Sequence, residues 1–294
     1  MPLLSLPYPL DLSATLMGGQ SFCWQSISAN IFQGWILSQP VRLEYNSGNL
    51  SWDNPSLSPD QISRYLSLDL DLPSIFKSFP PSDPHLNAAW QSHSGLRPVR
   101  EDPWECLSNF ICSSLKQIVQ IQQINERLRT ALGGTDRVFP SPFIISQAGE
   151  AALRGCSLGY RARHLAGTAK ILTENPAILD IPNSLPTPEA AARLETLPGV
   201  GPKISRCVLL YAYSRWDAFP IDVWVSRLVW KLYFPRKRKP PRLSYLEDWS
   251  AKHFGSHRGL AQLFLFHWFR TGPGARPKAL PKKPVMRRRS RRGS

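Results

Sequence analysis

Leu197-Pro198-Gly199-Val200-Gly201-Pro202-Lys203 decides how this chain is read, together with Asp222, nineteen residues past the lysine in Ala218-Phe219-Pro220-Ile221-Asp222-Val223. The Gly-Val-Gly step permits a tight backbone turn with no Cβ in the way and leaves its N–H groups facing outward. Set between two helices, such a turn can hold the phosphates of a nucleic-acid backbone. Pro202 suits the first position of the second helix, where the N–H it lacks would be unpaired anyway. Lys203 then falls in the first helical turn, where the positive end of the dipole disfavours a charged amine. It is therefore a candidate nucleophile as well as a phosphate contact.

Composition supports a polyanionic partner. The chain has 294 residues, 42% hydrophobic and 19% charged, enough for one large domain or two to three small ones with a buried core. Its net charge is +15. Nine Lys and Arg with no acid lie between Arg276 and Ser294, and the body without them still carries +6. A second basic run is Arg236-Lys237-Arg238-Lys239. Binding that weakens steeply with salt is expected. The five cysteines (Cys23, Cys106, Cys112, Cys156 and Cys207) are odd in number and form no C-x-x-C. A disulfide framework is thus not expected, and a reduced intracellular compartment is. No Cys/His spacing suggests zinc, so no metal is expected. The chain shows no charged leader with an apolar core and no run of eighteen apolar residues, so it is expected to be neither secreted nor membrane-spanning.

Residues 4 to about 53 read as strands: Phe22–Gln25, Ile31–Leu37 and Val41–Tyr45 are β-branched or aromatic runs, separated by turns such as Asn46-Ser47-Gly48. From Ser58 onward helix signals take over. Ser58-Pro59, Asp102-Pro103 and Thr187-Pro188 each read as a cap followed by proline at the first helical position. Ser114 and Gln117 are spaced as a capping box, which predicts two helices within Trp104–Leu132 meeting near Ser113. The expected fold class is α+β. Residues 1–100 form an N-terminal antiparallel β-sheet domain with flanking helices, 101–273 an all-helical body, and 274–294 a disordered basic tail.

The stretch Leu197–Val223 resembles the helix-hairpin-helix DNA glycosylases, whose signature is a hairpin, a lysine and then a Gly/Pro-rich segment ending in aspartate. In that family the lysine and aspartate together imply a bifunctional glycosylase/lyase, with Lys203 and Asp222 as the catalytic pair. The resemblance implies a TBP-like N-terminal sheet, and the cysteine cluster that holds iron and sulfur in some relatives is absent. Gly199, Val200 and Gly201 would hold the DNA backbone.

Four further segments resemble the 8-oxoguanine DNA glycosylases in particular. Gly18-Gly19-Gln20-Ser21-Phe22-Cys23-Trp24 looks like that family's Gly-Gln-Ser-Phe-Arg-Trp loop. There a glycine carbonyl, by position Gly19, accepts the N7–H that 8-oxoguanine has and guanine lacks. The difference between attraction and repulsion is about a few kcal/mol. Cys207 is i+4 from Lys203, and Gln262 is i−4 from Phe266, so each pair shares a helix face. By resemblance Cys207 and Phe266 sandwich the flipped base and Gln262 bonds its Watson–Crick edge; without it, Cys207 and Phe266 read as core. Tyr160 and Arg161 match the wedge and pocket on the opposite strand, and their plain alternative is a surface Tyr-Arg pair.

The chain also departs from that family. Leu115-Lys116-Gln117 stand where eukaryotic members have three asparagines, and Gln120 stands at the arginine that reads the opposite cytosine. Lys116 and Gln117 are candidates to enter the stack or touch phosphate; an exposed helix face is their alternative. Trp224 replaces a phosphate-binding histidine. An indole N–H donates one bond but carries no charge. Asp222 also reads as the N-cap of a helix over Val223–Tyr233.

The resulting expectation is an 8-oxoguanine glycosylase/lyase that works through a Lys203 Schiff base and β-elimination. It would need no cofactor and act as a monomer on double-stranded DNA containing oxidised guanine. Its place would be the nucleus in a eukaryote, or the cytoplasm and nucleoid in a bacterium. Two alternatives stand beside it: an alkylated-base glycosylase of the 3-methyladenine type, and a non-catalytic duplex-binding protein.

Overall fold

The computed structural model describes residues 2–272, and the expected basic tail, 274–294, lies outside the described residues. Strands β1 (Leu3–Ser5), β2 (Gln25–Ser26), β3 (Ile31–Ile36), β4 (Gln39–Asn46) and β5 (Asn49–Trp52) form one antiparallel sheet in the order β1-β5-β4-β3-β2. Two tight two-residue turns fix its register, pairing Ile36 with Gln39 and Asn46 with Asn49. Leu37, Ser38, Ser47 and Gly48 all take positive φ, the geometry that matches the twist of a hairpin. Phe32, Ile36, Val41, Leu43, Leu50 and Trp52 alternate onto one face and are buried. They pack on Trp24 and on helix α2 (Pro59–Tyr65), whose Ser58 cap and Gln61 partner form a reciprocal box.

The N-terminal region is less strand-rich than its residues suggest. Helix α1 (Leu12–Met17), capped by Asp11, interrupts it. Of the Phe22–Gln25 run, only Gln25 joins the sheet. The segment before it is held by side chains instead of a ladder: the Gln20 amide donates to the carbonyls of Thr15 and Arg97 and accepts from the Val99 N–H.

The helical body comprises α3 (Leu72–Lys77), α4 (Pro84–Ser92), α5 (Pro103–Cys112), α6 (Ile118–Leu132), α7 (Pro142–Gly155), α8 (Ala162–Glu174), α9 (Thr187–Glu195), α10 (Pro202–Tyr211), α11 (Val223–Tyr233), α12 (Leu243–Phe254) and α13 (Arg258–Thr271). Helix α5 is its centre, buried from Trp104 to Cys112. Asp102 caps it through the Trp104 and Glu105 N–H groups. Glu105 reaches Arg129 of α6 at 2.6 Å, with Asn125 bridging both, so a buried charge is paired and hydrogen-bonded. Leu72, Phe79, Leu86 and Ala89 join this helical core, not the sheet core. Among the described residues no helix is long and apolar enough to cross a membrane.

Two caps differ from expectation. Helix α9 begins at Thr187 with Pro186 as its cap, and the Thr187 hydroxyl donates to Asp217 instead. Helix α6 begins at Ile118, capped by Gln117, not Ser114. Leu115 takes a φ of +56°, which ends the helical path after α5 and shifts the next start three residues along. Gln120 Oε1 then accepts from the Gln117 N–H at 3.0 Å.

Candidate active site and DNA-binding surface

Helices α9 and α10 and residues 196–201 between them form the hairpin. Its turn is fixed from within by Val200 N–H to Leu197 O at 3.1 Å and from outside by the Thr168 hydroxyl on Pro198 O at 2.9 Å. Gly199 has a φ of +79°, and a Cβ there would lie 2.7 Å from His164 Cβ, so glycine is required twice over. Gly201 differs: a Cβ on it would meet nothing within 4 Å. Its smallness answers to no neighbour in the described fold.

Pro202 opens α10 and places Lys203 one residue further on. The Lys203 amine donates to the Ser113 hydroxyl at 3.3 Å and lies 4.7 Å from the centre of the Phe110 ring. Asp222 caps α11, its Oδ1 accepting from Val225 N–H at 2.8 Å. The cap expected from sequence is thus present. Lys203 and Asp222 line one cavity with Gly19, Cys207, Gln262 and Phe266. Six positions spread over more than 240 residues of chain are brought to one place.

Gly18, Phe110, Tyr211, Pro220, Val225 and Leu263 complete the lining. Sequence reasoning gave these no role. Tyr211 is i+4 from Cys207 and i+8 from Lys203, so the helical period carried the signal. Phe110 stacks with Tyr211 at 5.9 Å and meets Phe22 edge-on at 5.5 Å, forming the floor. Burial, with Lys203 and Asp222 acting in opposite senses, pushes the Cys207 thiol up to about 11, so it packs as a neutral apolar group. Gln262 Oε1 is buried with no partner, which is costly unless something meets it. Gly19 takes a φ of +96°. The cavity measures about 60 Å³. A cleft of about 400 Å³ lies elsewhere, beside Asp11, Asn30 and Tyr45, but is lined by no lysine; size alone does not mark the site.

Around the mouth stand the opposite-strand candidates. Leu115 is 94% exposed and Tyr160 is 47% exposed. Arg161 is not exposed with them. It is buried, with Nη2 on Ser114 O and its guanidinium 4.3 Å over the Tyr160 ring. It thereby straps the turn after α5 to Tyr160. Lys116 and Gln117 lie in that turn, beside Leu115, and Gln120 follows in the first turn of α6. His164, which sequence reasoning passed over, sits between Tyr160 and Gly199. Trp224 is 41% exposed at the start of α11, with Arg227 5.6 Å from its ring.

The fold is shared with a 3-methyladenine DNA glycosylase from Archaeoglobus fulgidus, with a TM-score of 0.72 over 92% of this chain and 99% of that one. At 16% identity that likeness speaks for architecture alone. With the lysine-bearing hairpin, the architecture is that of the helix-hairpin-helix DNA glycosylases. Residues 4–107 match the family model of the 8-oxoguanine DNA glycosylase N-terminal domain. An N-glycosylase/DNA lyase of Arabidopsis thaliana is 29% identical over 280 residues, spanning 87% of this chain and 76% of the relative. The 8-oxoguanine glycosylase/lyase of Clostridium acetobutylicum, solved with duplex DNA carrying cytosine opposite the lesion, is 26% identical. It superposes with a TM-score of 0.80 over 89% of this chain and 92% of its own. Together these likenesses support an 8-oxoguanine DNA glycosylase of the helix-hairpin-helix superfamily.

Proposed function

We propose that this chain is a bifunctional base-excision-repair enzyme, an 8-oxoguanine DNA N-glycosylase with abasic-site lyase activity on duplex DNA. The observation that carries this reading is the convergence of Lys203 and Asp222 on the cavity lined by Gly19, Cys207, Gln262 and Phe266. A nucleophile, a carboxylate and a base-sized set of recognition groups share one mouth.

The duplex is gripped at Gly199, Val200 and Gly201, whose turn presents backbone amides to phosphate. Trp224 adds an indole donor at the neighbouring helix start. The lesion nucleotide leaves the stack, and Tyr160 and Leu115 fill the gap, offsetting part of the unstacking cost. Lys116, Gln117 and Gln120 face the opposite strand, with Arg161 setting their turn. Inside, the Gly19 carbonyl accepts N7–H, Gln262 meets the Watson–Crick edge, and Cys207 and Phe266 sandwich the ring.

The Lys203 amine, neutral at attack, forms a bond from Nζ to C1′ as the C1′–N9 bond breaks, and the base departs with that electron pair and gains a proton. Asp222 stabilises the positive charge that develops on the sugar, as carboxylates do in glycoside hydrolysis. The sugar ring opens to a Schiff base. Loss of a C2′ proton then expels the 3′ phosphate by β-elimination and nicks the strand. The enzyme would work where DNA resides, the nucleus in a eukaryote or the nucleoid in a bacterium.

Borohydride trapping on a duplex containing 8-oxoguanine tests the reading. A covalent adduct is expected with the native chain and none with Lys203→Gln. An adduct with the variant, or none with the native chain, overturns it.

A further inference from the structure

Glu101 is a buried carboxyl that the chemistry above leaves unused. Its backbone N–H donates to Tyr211 O at the end of α10 at 2.8 Å. Two residues earlier, Val99 N–H is held by Gln20 Oε1 at 3.1 Å. This segment therefore bridges the lysine helix and the turn that carries Gly19. The Glu101 side chain faces the same turn. The Tyr65 hydroxyl donates to Glu101 Oε1 at 2.5 Å, accepts from Trp24 Nε1 at 2.8 Å and lies 3.3 Å from Ser21 Oγ. Ser21 and Trp24 belong to the irregular segment that follows Gly19.

Among the described residues no cation pairs with this carboxyl. The groups facing it are Glu105 and Asp102 from α5 and its cap, Cys106 from α5, Tyr65 from α2, and Cys23 and Ser21 from the loop. Burial pushes Cys23, Cys106 and Tyr65 up, so they stay neutral. Arg129 is committed to Glu105. Cys23 stands where the family loop quoted above has an arginine, and a small neutral thiol leaves two acids to one guanidinium. Burial first, and the Glu105 charge second, push the Glu101 carboxyl up to about 8. A carboxylate there would be a second, uncompensated buried anion.

We propose that Glu101, as a neutral carboxyl, is a positioning residue that holds Ser21 and Trp24, and through them the Gly19 carbonyl, in place for base recognition, and that its ionisation loosens that turn. The proposal rests on the excision reading above. Its consequence is selective: removing the base needs Gly19, whereas β-elimination at an abasic site does not.

The test uses the full chain in single turnover from about pH 6.5 to about pH 9.5, the range that brackets the acid. One duplex carries 8-oxoguanine and the other a preformed abasic site. Excision relative to abasic-site cleavage is expected to fall at least about threefold between pH 7 and pH 9. In Glu101→Gln that fall should vanish. Glu101→Ala should raise KM for the lesion duplex at neutral pH, with the glutamine variant restoring it. The indole N–H resonance of Trp24, assigned with Trp24→Phe, should titrate over the same range in the native chain and stay fixed in Glu101→Gln. A pH profile unchanged by Glu101→Gln, or a Trp24 resonance that does not titrate, overturns the proposal. Absence of any excision at neutral pH overturns the functional reading instead, and the Trp24 titration still decides the role of Glu101.

Discussion

The Lys203 amine donates to the Ser113 hydroxyl across 3.3 Å, tying the start of α10 to the turn that follows α5. Ser113 gives its own proton to Phe110 O at 2.7 Å, so a lone pair faces the amine. A neutral acceptor aims the nucleophile without engaging it in an ion pair. Ser113→Ala removes one hydrogen bond to a chargeable group, about 1.5 kcal/mol, so Schiff-base formation should slow about tenfold. Rapid-quench borohydride trapping measures this, and a native rate would mean that Ser113 does not aim Lys203.

Asp222 caps α11, and substitutions separate that cap from the charge-stabilising role proposed for it. Asn caps a helix about as well as Asp, so Asp222→Asn should melt within about 0.5 kcal/mol of the native chain while excision falls by at least about a hundredfold. Asp222→Ala should lose the cap as well, at about 1 kcal/mol. Thermal melts and single-turnover rates on both variants read the two effects. Full activity in Asp222→Asn would remove the charge-stabilising role.

Gly199 and Gly201 should respond differently to the same methyl group. Gly199→Ala meets a positive φ and His164, so a stability loss of about 1–3 kcal/mol is expected. Gly201→Ala meets no neighbour in the described fold. It should melt like the native chain but bind duplex DNA more weakly, because the Cβ stands where phosphate approaches. Equal affinity in a fluorescence-anisotropy titration would show that DNA does not come close there.

Leu115 combines 94% exposure with a φ of +56°. A leucine held in the left-handed region at the mouth of a site costs about 1 kcal/mol and gains nothing in the free chain's packing. Leu115→Gly should therefore be as stable as the native chain or slightly more so. Excision of 8-oxoguanine should drop several-fold, and cleavage of a preformed abasic site much less, since no base need be extruded. A parallel loss on both duplexes would show that Leu115 does not fill the gap.

Glu101 also sets a stability trend. Its folded value of about 8 lies above the ordinary carboxylate range. Such a group contributes stability that is fully present below the unfolded value and is lost as pH rises toward the folded one. Glu101→Gln should match the native chain at about pH 4 and gain on it steadily as pH rises above the ordinary carboxylate range. Melting temperatures across that range check the slope.

Several parts of the site were legible in the residues because they are local. The hairpin needs only Gly199, Pro202 and the helices either side. Asp222 needs only the helix that follows it to be a cap. Cys207 with Lys203, and Gln262 with Phe266, are pairs that one helical period already aligns. Phe110 and Ser113 were not legible, because they stand beside a lysine 90 or more residues away in the sequence. Arg161 reads from sequence as a group facing DNA. In the fold it is buried on Ser114 O, a use set by a neighbour 47 residues away.

The sequence alone determined the order of sheet then helices, the glycine-rich hairpin between two helices and the place of Lys203 in the first turn that follows it. These follow from period, capping and glycine freedom, all properties of short stretches. Tertiary structure alone decided that Gly19, Lys203, Asp222 and Gln262 share one cavity, and that Glu101 is left without a cation among the described residues. Those are matters of distance and desolvation between segments far apart in the chain. No local pattern encodes them, because each depends on what the other segments have already surrounded.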